Sequence, residues 1–497
     1  MDAVNNLYAT EQDKSFAALF TDIALKHPHL PAIISEASVT SYAQLLAGAI
    51  AFAKRFQRMG VTRESLIALN TGDMPTSISV LIATSFLGCR LVTAGSVLQR
   101  QNVVEPTHFI RTPDAKGKKD LGFTLIDPSW FQDAENAQLA DISHFQGYES
   151  ADDLWLVLHT SGTTGKPKFI GLTHAIVANR TDAISDDFPF MQTTCTLLFN
   201  CTSRPFYARA IAALLNANTI VESNDSRFWK KSGVNTVFGS PSQYESFLGK
   251  YGMYNRFDKI EISGAKLEDP LAMLLLQHFD TVIDIYGASE TNKTFANIIS
   301  ISADGNLTRS GKLLDTEVEI IKEDGTICPP GSIGNVRVRN RYMIDGYIRA
   351  PEATEKNFIE GWFHPGDMAS WGQNGELNIH GRTDEVISFG GVKIDAKLID
   401  VILKSVPGVK DAVSFKGPKS NQFEIIAFVV FEDGFDRVLV TEQIRESYKT
   451  HTGLPCFLGR IHQISEIPYT DEGRPMRELC QQMVLQSAGT QQTIDKE

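Results

Sequence analysis

Hydroxyl, glycine and lysine residues crowd one stretch of this chain, His159-Thr160-Ser161-Gly162-Thr163-Thr164-Gly165-Lys166-Pro167-Lys168. It follows Leu154-Trp155-Leu156-Val157-Leu158, an apolar run that reads as a buried strand. Glycines at a strand end let the backbone turn its N–H groups onto an anion. The hydroxyls of Thr160, Ser161, Thr163 and Thr164 add donors, and Lys166 and Lys168 add positive charge. A phosphate suits that set. The Walker pattern is excluded because the glycine spacing is too short and Pro167 stands where a hydroxyl residue is needed. No Gly-x-Gly-x-x-Gly follows a strand, so a dinucleotide fold is not indicated.

Four further stretches carry chemistry. Tyr286-Gly287-Ala288-Ser289-Glu290-Thr291 follows a strand-like Val282-Ile283-Asp284-Ile285. A carboxylate there can hold Mg²⁺ beside phosphates, and an aromatic can stack on a base; taken alone, the stretch reads rather as a strand end with a buried Tyr and a surface Glu. Gly361-Trp362-Phe363-His364-Pro365-Gly366-Asp367 places an Asp in a turn, where it can accept from both hydroxyls of a ribose or merely cap the turn. Gly381-Arg382-Thr383-Asp384-Glu385 offers a bidentate cation and a second acid. Ile467-Pro468-Tyr469-Thr470-Asp471-Glu472-Gly473-Arg474 ends in a cation.

The elements that must position these residues alternate. Helical spacing runs over 15–26, 41–59, 77–87 and 174–183, and strands are expected at 32–34, 66–69, 91–94, 196–199, 219–222, 236–239, 259–263 and 281–285. That order predicts layered, mostly parallel α/β sheets. Residues 99–119 read as loop. From Gly311 onward, alternating runs at 317–321, 336–339 and 377–380 predict a small antiparallel β unit. A helix at 397–404, strands at 411–414 and 425–431, and a helix at 441–451 form a separate α+β pattern, with residues 486–497 expected unstructured. The boundary falls near Asp384, giving domains 1–383 and 384–497.

Bulk properties narrow the function. Hydrophobic content of 42% and charged content of 21% are those of a globular protein. The formal charge of −12 argues against nucleic acid as a main partner. No basic, then apolar, start marks a signal peptide, and no window is long enough to span a membrane. The six cysteines form no Cys-x-x-Cys pair, so reduced thiols in a cytoplasmic protein are expected and zinc is not.

Thr160 to Lys168 resembles throughout the phosphate loop of the adenylate-forming superfamily, which comprises acyl-CoA synthetases, peptide-synthetase adenylation domains and luciferases. Phe169, where that family usually has Gly, is a small departure. Tyr286 to Glu290, Gly346-Tyr347 with Pro351-Glu352-Ala353-Thr354, Gly361 to Asp367 (Pro365 replacing Thr) and Gly381 to Ile387 match further family motifs in order. The resemblance implies a large N-terminal α/β domain with a small β unit and a mobile C-terminal domain. It implies that Thr160 to Lys168 hold the pyrophosphate portion of ATP. Tyr286, with Gly287, packs on adenine, Ser289 meets the α-phosphate and Glu290 holds Mg²⁺. Ser263-Gly264-Ala265 border adenine and the acyl pocket, and Asp367 and Arg382 bind ribose or phosphate. Asp384 is the hinge, and Gly391 lines the pantetheine path of CoA. Thr163, Lys168, Glu290 and Arg474 are the expected catalytic set.

Two departures matter. Arg474 stands where the family has the adenylation lysine, and a planar fork does not replace a point charge neutrally. Asn200-Cys201-Thr202-Ser203-Arg204-Pro205-Phe206 contains neither the His that often gates the acyl pocket nor the Asp of amino-acid-activating members. Arg204 either faces the pocket, where it meets a second acidic or carbonyl group, or lies on the surface. The expected activity is ATP-dependent activation of a carboxylic acid and transfer to a thiol, with ATP, Mg²⁺ and CoA as cofactors. The alternatives are an amine or carrier-protein acceptor, or a member that no longer adenylates.

Overall fold

The computed structural model describes residues 15–93, 103–113, 115, 123–127, 129–132, 134, 138–145, 147–160, 168–383, 386–389, 392–417, 424–452, 457–469 and 475–494. The expected mixed α/β architecture is present. Among the described residues, one sheet has seven strands in the order 347–348, 168–173, 154–160, 90–92, 66–70, 108–111 and 124–125. A second has nine, in the order 307–313, 292–301, 279–288, 257–263, 236–239, 194–197, 219–222, 31–35 and 39–41. The helices Phe16–Lys26, Tyr42–Arg58, Met74–Leu87 and Arg204–Leu215 lie in one core that draws on both sheets.

Local chemistry explains these helices. Ser15 accepts from the Ala18 N–H, and Ser41 with Gln44 forms a reciprocal capping box. Asp73 caps Met74–Leu87, whose residues are buried on nearly every side, so its sequence shows little amphipathic pattern. That helix stops at Gly88, which is left-handed at φ 64°; a Cβ there would meet the Gly147 carbonyl at 2.1 Å.

A third sheet pairs 317–321, 334–339, 358–359, 362–363, 367–371 and 377–382. It is the small antiparallel unit expected from sequence. Past residue 385, a two-stranded pair (386–389 with 392–395) precedes a three-stranded sheet (409–416, 424–431, 457–463). Two apolar clusters here draw only on residues from Ala396 onward. Asp400 joins their elements: it accepts from the Ser414 N–H at 2.5 Å and from Arg477 at 2.6 Å.

The structure corrects three expectations. Residues 99–119 include the strand His108–Arg111, parallel to Leu66–Asn70. Its four residues are too few for a periodic signal. The antiparallel pattern begins before Gly311, because Asn292–Ile301 folds back on Phe279–Ala288 and Leu307–Leu313 follows it, all within the nine-stranded sheet. The last helix, Arg477–Ile494, includes residues 486–494, where no structure was expected. None of the helices in the described residues is long and apolar enough to cross a membrane.

Candidate active site

Thr160 and Lys168 are register partners in the antiparallel pair 154–160 with 168–173. The polar stretch is therefore anchored by a strand at each end. Lys168 Nζ lies 4.7 Å from the centre of the Tyr347 ring, a cation–π distance. Tyr347 is brought there by its own strand, which pairs with Ile170. Its hydroxyl donates to Glu290 Oε1 at 2.7 Å. Burial pushes the Tyr347 hydroxyl well above its ordinary pKa, and Glu290 adds to the shift, so it stays protonated and remains a donor.

Glu290 stands at the tip of a tight hairpin. Gly287 pairs with Lys293 and Ala288 with Asn292, leaving Ser289, Glu290 and Thr291 as the turn. Gly287 is required because a Cβ would meet the Asn292 carbonyl at 2.2 Å. Asn292 takes the left-handed conformation, φ 63°, that closes such a turn. Arg180, on helix His174–Asp182, holds the tip from below. Its guanidinium donates to the carbonyls of Ser289, Glu290 and Tyr342 at 3.1, 2.8 and 3.0 Å. The Glu290 carboxylate is thus aimed by fixed backbone, a buried arginine and one tyrosine.

On the other side of the same strand end, the Tyr286 hydroxyl donates to Asp367 Oδ2 at 2.6 Å. Arg382 Nη1 lies 3.5 Å from Asp367 Oδ1, and the two residues are register partners across 367–371 and 377–382. Burial raises the Tyr286 hydroxyl far above its ordinary range, with Asp367 adding to the shift. The clusters sense each other: Glu290 raises Tyr286 and Arg382 lowers Tyr347.

Ser263 ends the neighbouring parallel strand Phe257–Ser263, with Gly264 and Ala265 directly after it, and pairs with Ile285 beside Tyr286. Gly264 is left-handed at φ 96°. Behind them lies a buried ionic network that sequence reasoning missed. Glu261 accepts from Arg209 at 2.5 Å and from Lys293 at 2.6 Å, and Lys293 also meets Asp187 at 2.7 Å. Arg209 donates to Ser263 Oγ at 3.2 Å. Burial alone would raise the Asp187 carboxyl, yet Lys293 and Lys259 hold it below its ordinary value.

The structure therefore brings Lys168, Ser289, Glu290, Tyr286, Gly287, Asp367, Arg382 and the 263–265 turn together where strand ends of three sheets meet. Ser161, Gly162, Thr163, Thr164, Gly165 and Lys166 lie outside the described residues, as do Asp384, Gly391 and Arg474. Tyr347 and Arg180 were not singled out for a site role. Tyr347 sat in a matched motif, but nothing in a one-dimensional pattern joins it to Glu290, 57 residues away. The buried, aimed Glu290 carboxylate suits Mg²⁺, which is commonly held by one or two carboxylates together with substrate phosphates.

The profile of the AMP-binding enzyme family matches residues 20–348. The oxalate–CoA ligase of Arabidopsis thaliana is 26% identical over 67% of this chain and 68% of its own length. The 2-succinylbenzoate–CoA ligase of Bacillus cereus is 24% identical over 81% of this chain and 86% of its own length. Among solved structures, the o-succinylbenzoate CoA synthetase of Bacillus subtilis with its acyl-adenylate intermediate superposes with a TM-score of 0.76. That match is 18% identical and covers 94% of this chain and 97% of that one, which shows the fold. The order of motifs, the geometry around Glu290 and the profile agree, and the chain belongs to the AMP-binding enzyme family of adenylate-forming enzymes.

Proposed function

We propose that this chain is an AMP-forming acid–thiol ligase that activates a carboxylic acid with ATP and transfers the acyl group to CoA. The observation that carries the reading is the convergence of Lys168, Glu290 and the Tyr286–Asp367–Arg382 cluster where strand ends of three sheets meet. In this reading the Lys168 side of the cluster serves the phosphates and the Tyr286–Asp367–Arg382 side the nucleoside. Family membership and the CoA ligases among the relatives support the chemistry.

In the first step a carboxylate oxygen attacks the α-phosphorus of ATP, and pyrophosphate leaves. Residues 160–168 hold the leaving group, with Thr163 and Lys168 at the developing charge. Ser289 contacts the α-phosphate, and Tyr286 with Gly287 lines the adenine. Asp367 accepts from the ribose hydroxyls in a position already fixed by Tyr286 and Arg382. Glu290 would hold Mg²⁺, which supplies charge neutralisation when bound. Catalysis is positioning and charge stabilisation.

In the second step the thiol attacks the acyl carbon and AMP departs. For this we place Gly391 on the thiol's path and Asp384 at the hinge of a mobile unit, 384–497. The Lys397–Glu268 pair at 3.3 Å reaches across between the two parts. It joins two exposed groups, so breaking it costs little. Arg474 takes the place of the adenylation lysine and, in our reading, keeps its charge role.

Pyrophosphate–ATP exchange against a panel of carboxylic acids, with mass detection of acyl-AMP and acyl-CoA, tests the proposal. Acid-dependent exchange and a CoA thioester are expected. ATP binding without exchange on any acid would defeat it, and an amine or carrier-protein product would redirect only the second step.

A further inference from the structure

We infer that Tyr469, held by Asp411 and Lys404, is a positioning residue for Arg474, the cation assigned to the adenylation step. The inference rests on the proposed acid-activating function and deepens it. Tyr469 and Pro475 are antiparallel partners in an isolated bridge, and the Met476 N–H donates to the Pro468 carbonyl at 2.9 Å. The chain is thus pinned to itself on both sides of residues 470–474. Arg474 directly precedes Pro475, so its Cα lies one peptide step, about 3.8 Å, from the Cα of that residue.

Two polar clamps fix this pinned base to one helix. Asp400 and Lys404 stand four residues apart on helix Ala396–Lys404, hence on one face. Beyond Arg474, Arg477 donates to Asp400 Oδ2 at 2.6 Å and to the Ser414 carbonyl at 2.9 Å. Before Arg474, the Tyr469 hydroxyl meets both carboxylate oxygens of Asp411, at 2.9 and 3.0 Å. Lys404 Nζ lies 2.7 Å from Asp411 Oδ1 and donates to the Tyr469 oxygen at 3.2 Å. Burial raises the Tyr469 hydroxyl above its ordinary pKa, so it remains a donor at neutral pH.

The two clamps differ in what they supply. The Asp400–Arg477 pair is buried, with side chains 8% and 7% exposed, and knits the fold of this unit. The Tyr469 ring packs beside the apolar cluster of Ile467, Phe415 and Val484, a contact that needs no hydroxyl. Lys404 and Asp411 are partly exposed, and an ion pair in such a place adds little stability. What the Tyr469–Asp411–Lys404 triad supplies is direction. It fixes the phenol at both ends, and with it the backbone opposite Pro475. Direction matters more here than for a lysine, because a guanidinium acts through a planar fork and not as a point charge. A misplacement of about 1 Å at a reacting centre can cost on the order of 100-fold in rate.

The test separates the two half-reactions in the full-length protein. Acid-dependent pyrophosphate–ATP exchange reads the first, and CoA thioester formation from synthetic acyl-adenylate of the same acid reads the second. Tyr469→Phe should lower the exchange rate by about 10-fold, the value of one hydrogen bond to a charged group, and leave thioester formation within about twofold. Lys404→Met, which spares the Tyr469–Asp411 bond, should lose about two- to threefold in exchange alone. In an Arg474→Ala background, Tyr469→Phe should cost nothing further, because it acts through Arg474. Equal losses in both half-reactions, unchanged exchange in Tyr469→Phe, or an additive loss in the Arg474→Ala background would each overturn the inference and leave acid activation standing. If the native protein exchanges with no acid, the functional reading fails, and hydrogen exchange at the Met476 amide then decides the clamp alone. Faster exchange of that amide in Tyr469→Phe, by about threefold or more, supports it, and an unchanged rate overturns it.

Discussion

Tyr347→Phe isolates one hydrogen bond at the site. The substitution removes the hydroxyl that donates to Glu290 Oε1 at 2.7 Å and keeps the ring beneath Lys168 Nζ. Glu290 is 7% exposed, so water cannot simply replace the lost donor. A hydrogen bond to a charged group contributes about 1.5–3 kcal/mol. Converted at about 1.4 kcal/mol per tenfold, the loss corresponds to roughly 10- to 100-fold. It falls on the orientation and charge of the carboxylate assigned to Mg²⁺. The magnesium concentration that half-saturates pyrophosphate–ATP exchange should therefore rise by that factor, while the KM of the acid changes little. Mg²⁺ titrations of exchange on the native protein and the variant, with circular dichroism to verify folding, make the comparison. An unchanged Mg²⁺ dependence in a folded variant would refute the assignment of Glu290 as the metal carboxylate positioned by Tyr347.

Glu261→Gln should be strongly destabilising, because it strands Arg209 and Lys293 without their shared anion; breaking a buried pair costs about 3–5 kcal/mol, read as a lower denaturation midpoint. His174 lies between the rings of Tyr148 and Trp155, and burial lowers its pKa to about 4 against the opposing pull of Asp153. The unfolded chain then binds the extra proton first, so stability is complete above about pH 6.5 and falls as pH drops toward 4, by about 3 kcal/mol in all. Denaturation of His174→Phe should show a shallower loss over that window, and an identical slope would exclude His174 as its source. Arg474→Lys should preserve or raise exchange, whereas a large drop would mean that the site is rebuilt around the guanidinium.

Much of the site was legible because its chemistry is local. The hydroxyl–glycine–lysine stretch, Tyr286 to Glu290 and Gly361 to Asp367 each concentrate their functional residue types within a few positions. What stayed hidden was whatever the fold assembles across distance. Tyr347 meets Glu290 only because its two-residue strand pairs with Phe169 and Ile170. Arg180 reads as an ordinary polar residue on a helix until the hairpin tip is set on its guanidinium. The network of Arg209, Glu261, Lys293 and Asp187 unites an α-helix, two strands and the short 3₁₀ helix Ser185–Asp187. The hairpin itself was missed because Asn292 to Ile298 are buried at almost every position, which hides the alternation of an antiparallel strand. Arg204 was left between a pocket and a surface reading, and the structure places it part-buried at the start of helix Arg204–Leu215, 3.4 Å from Asn292 Oδ1.

The most direct test of the account is isotope transfer. A carboxylic acid that supports exchange, labelled with oxygen-18 in its reacting carboxylate, is converted with ATP and CoA, and the AMP released is weighed by mass spectrometry. Attack of the carboxylate on the α-phosphorus, followed by thiol attack on the acyl carbon, must leave one labelled oxygen in AMP. Unlabelled AMP, or label appearing in inorganic phosphate with release of ADP, would contradict an acyl-adenylate route.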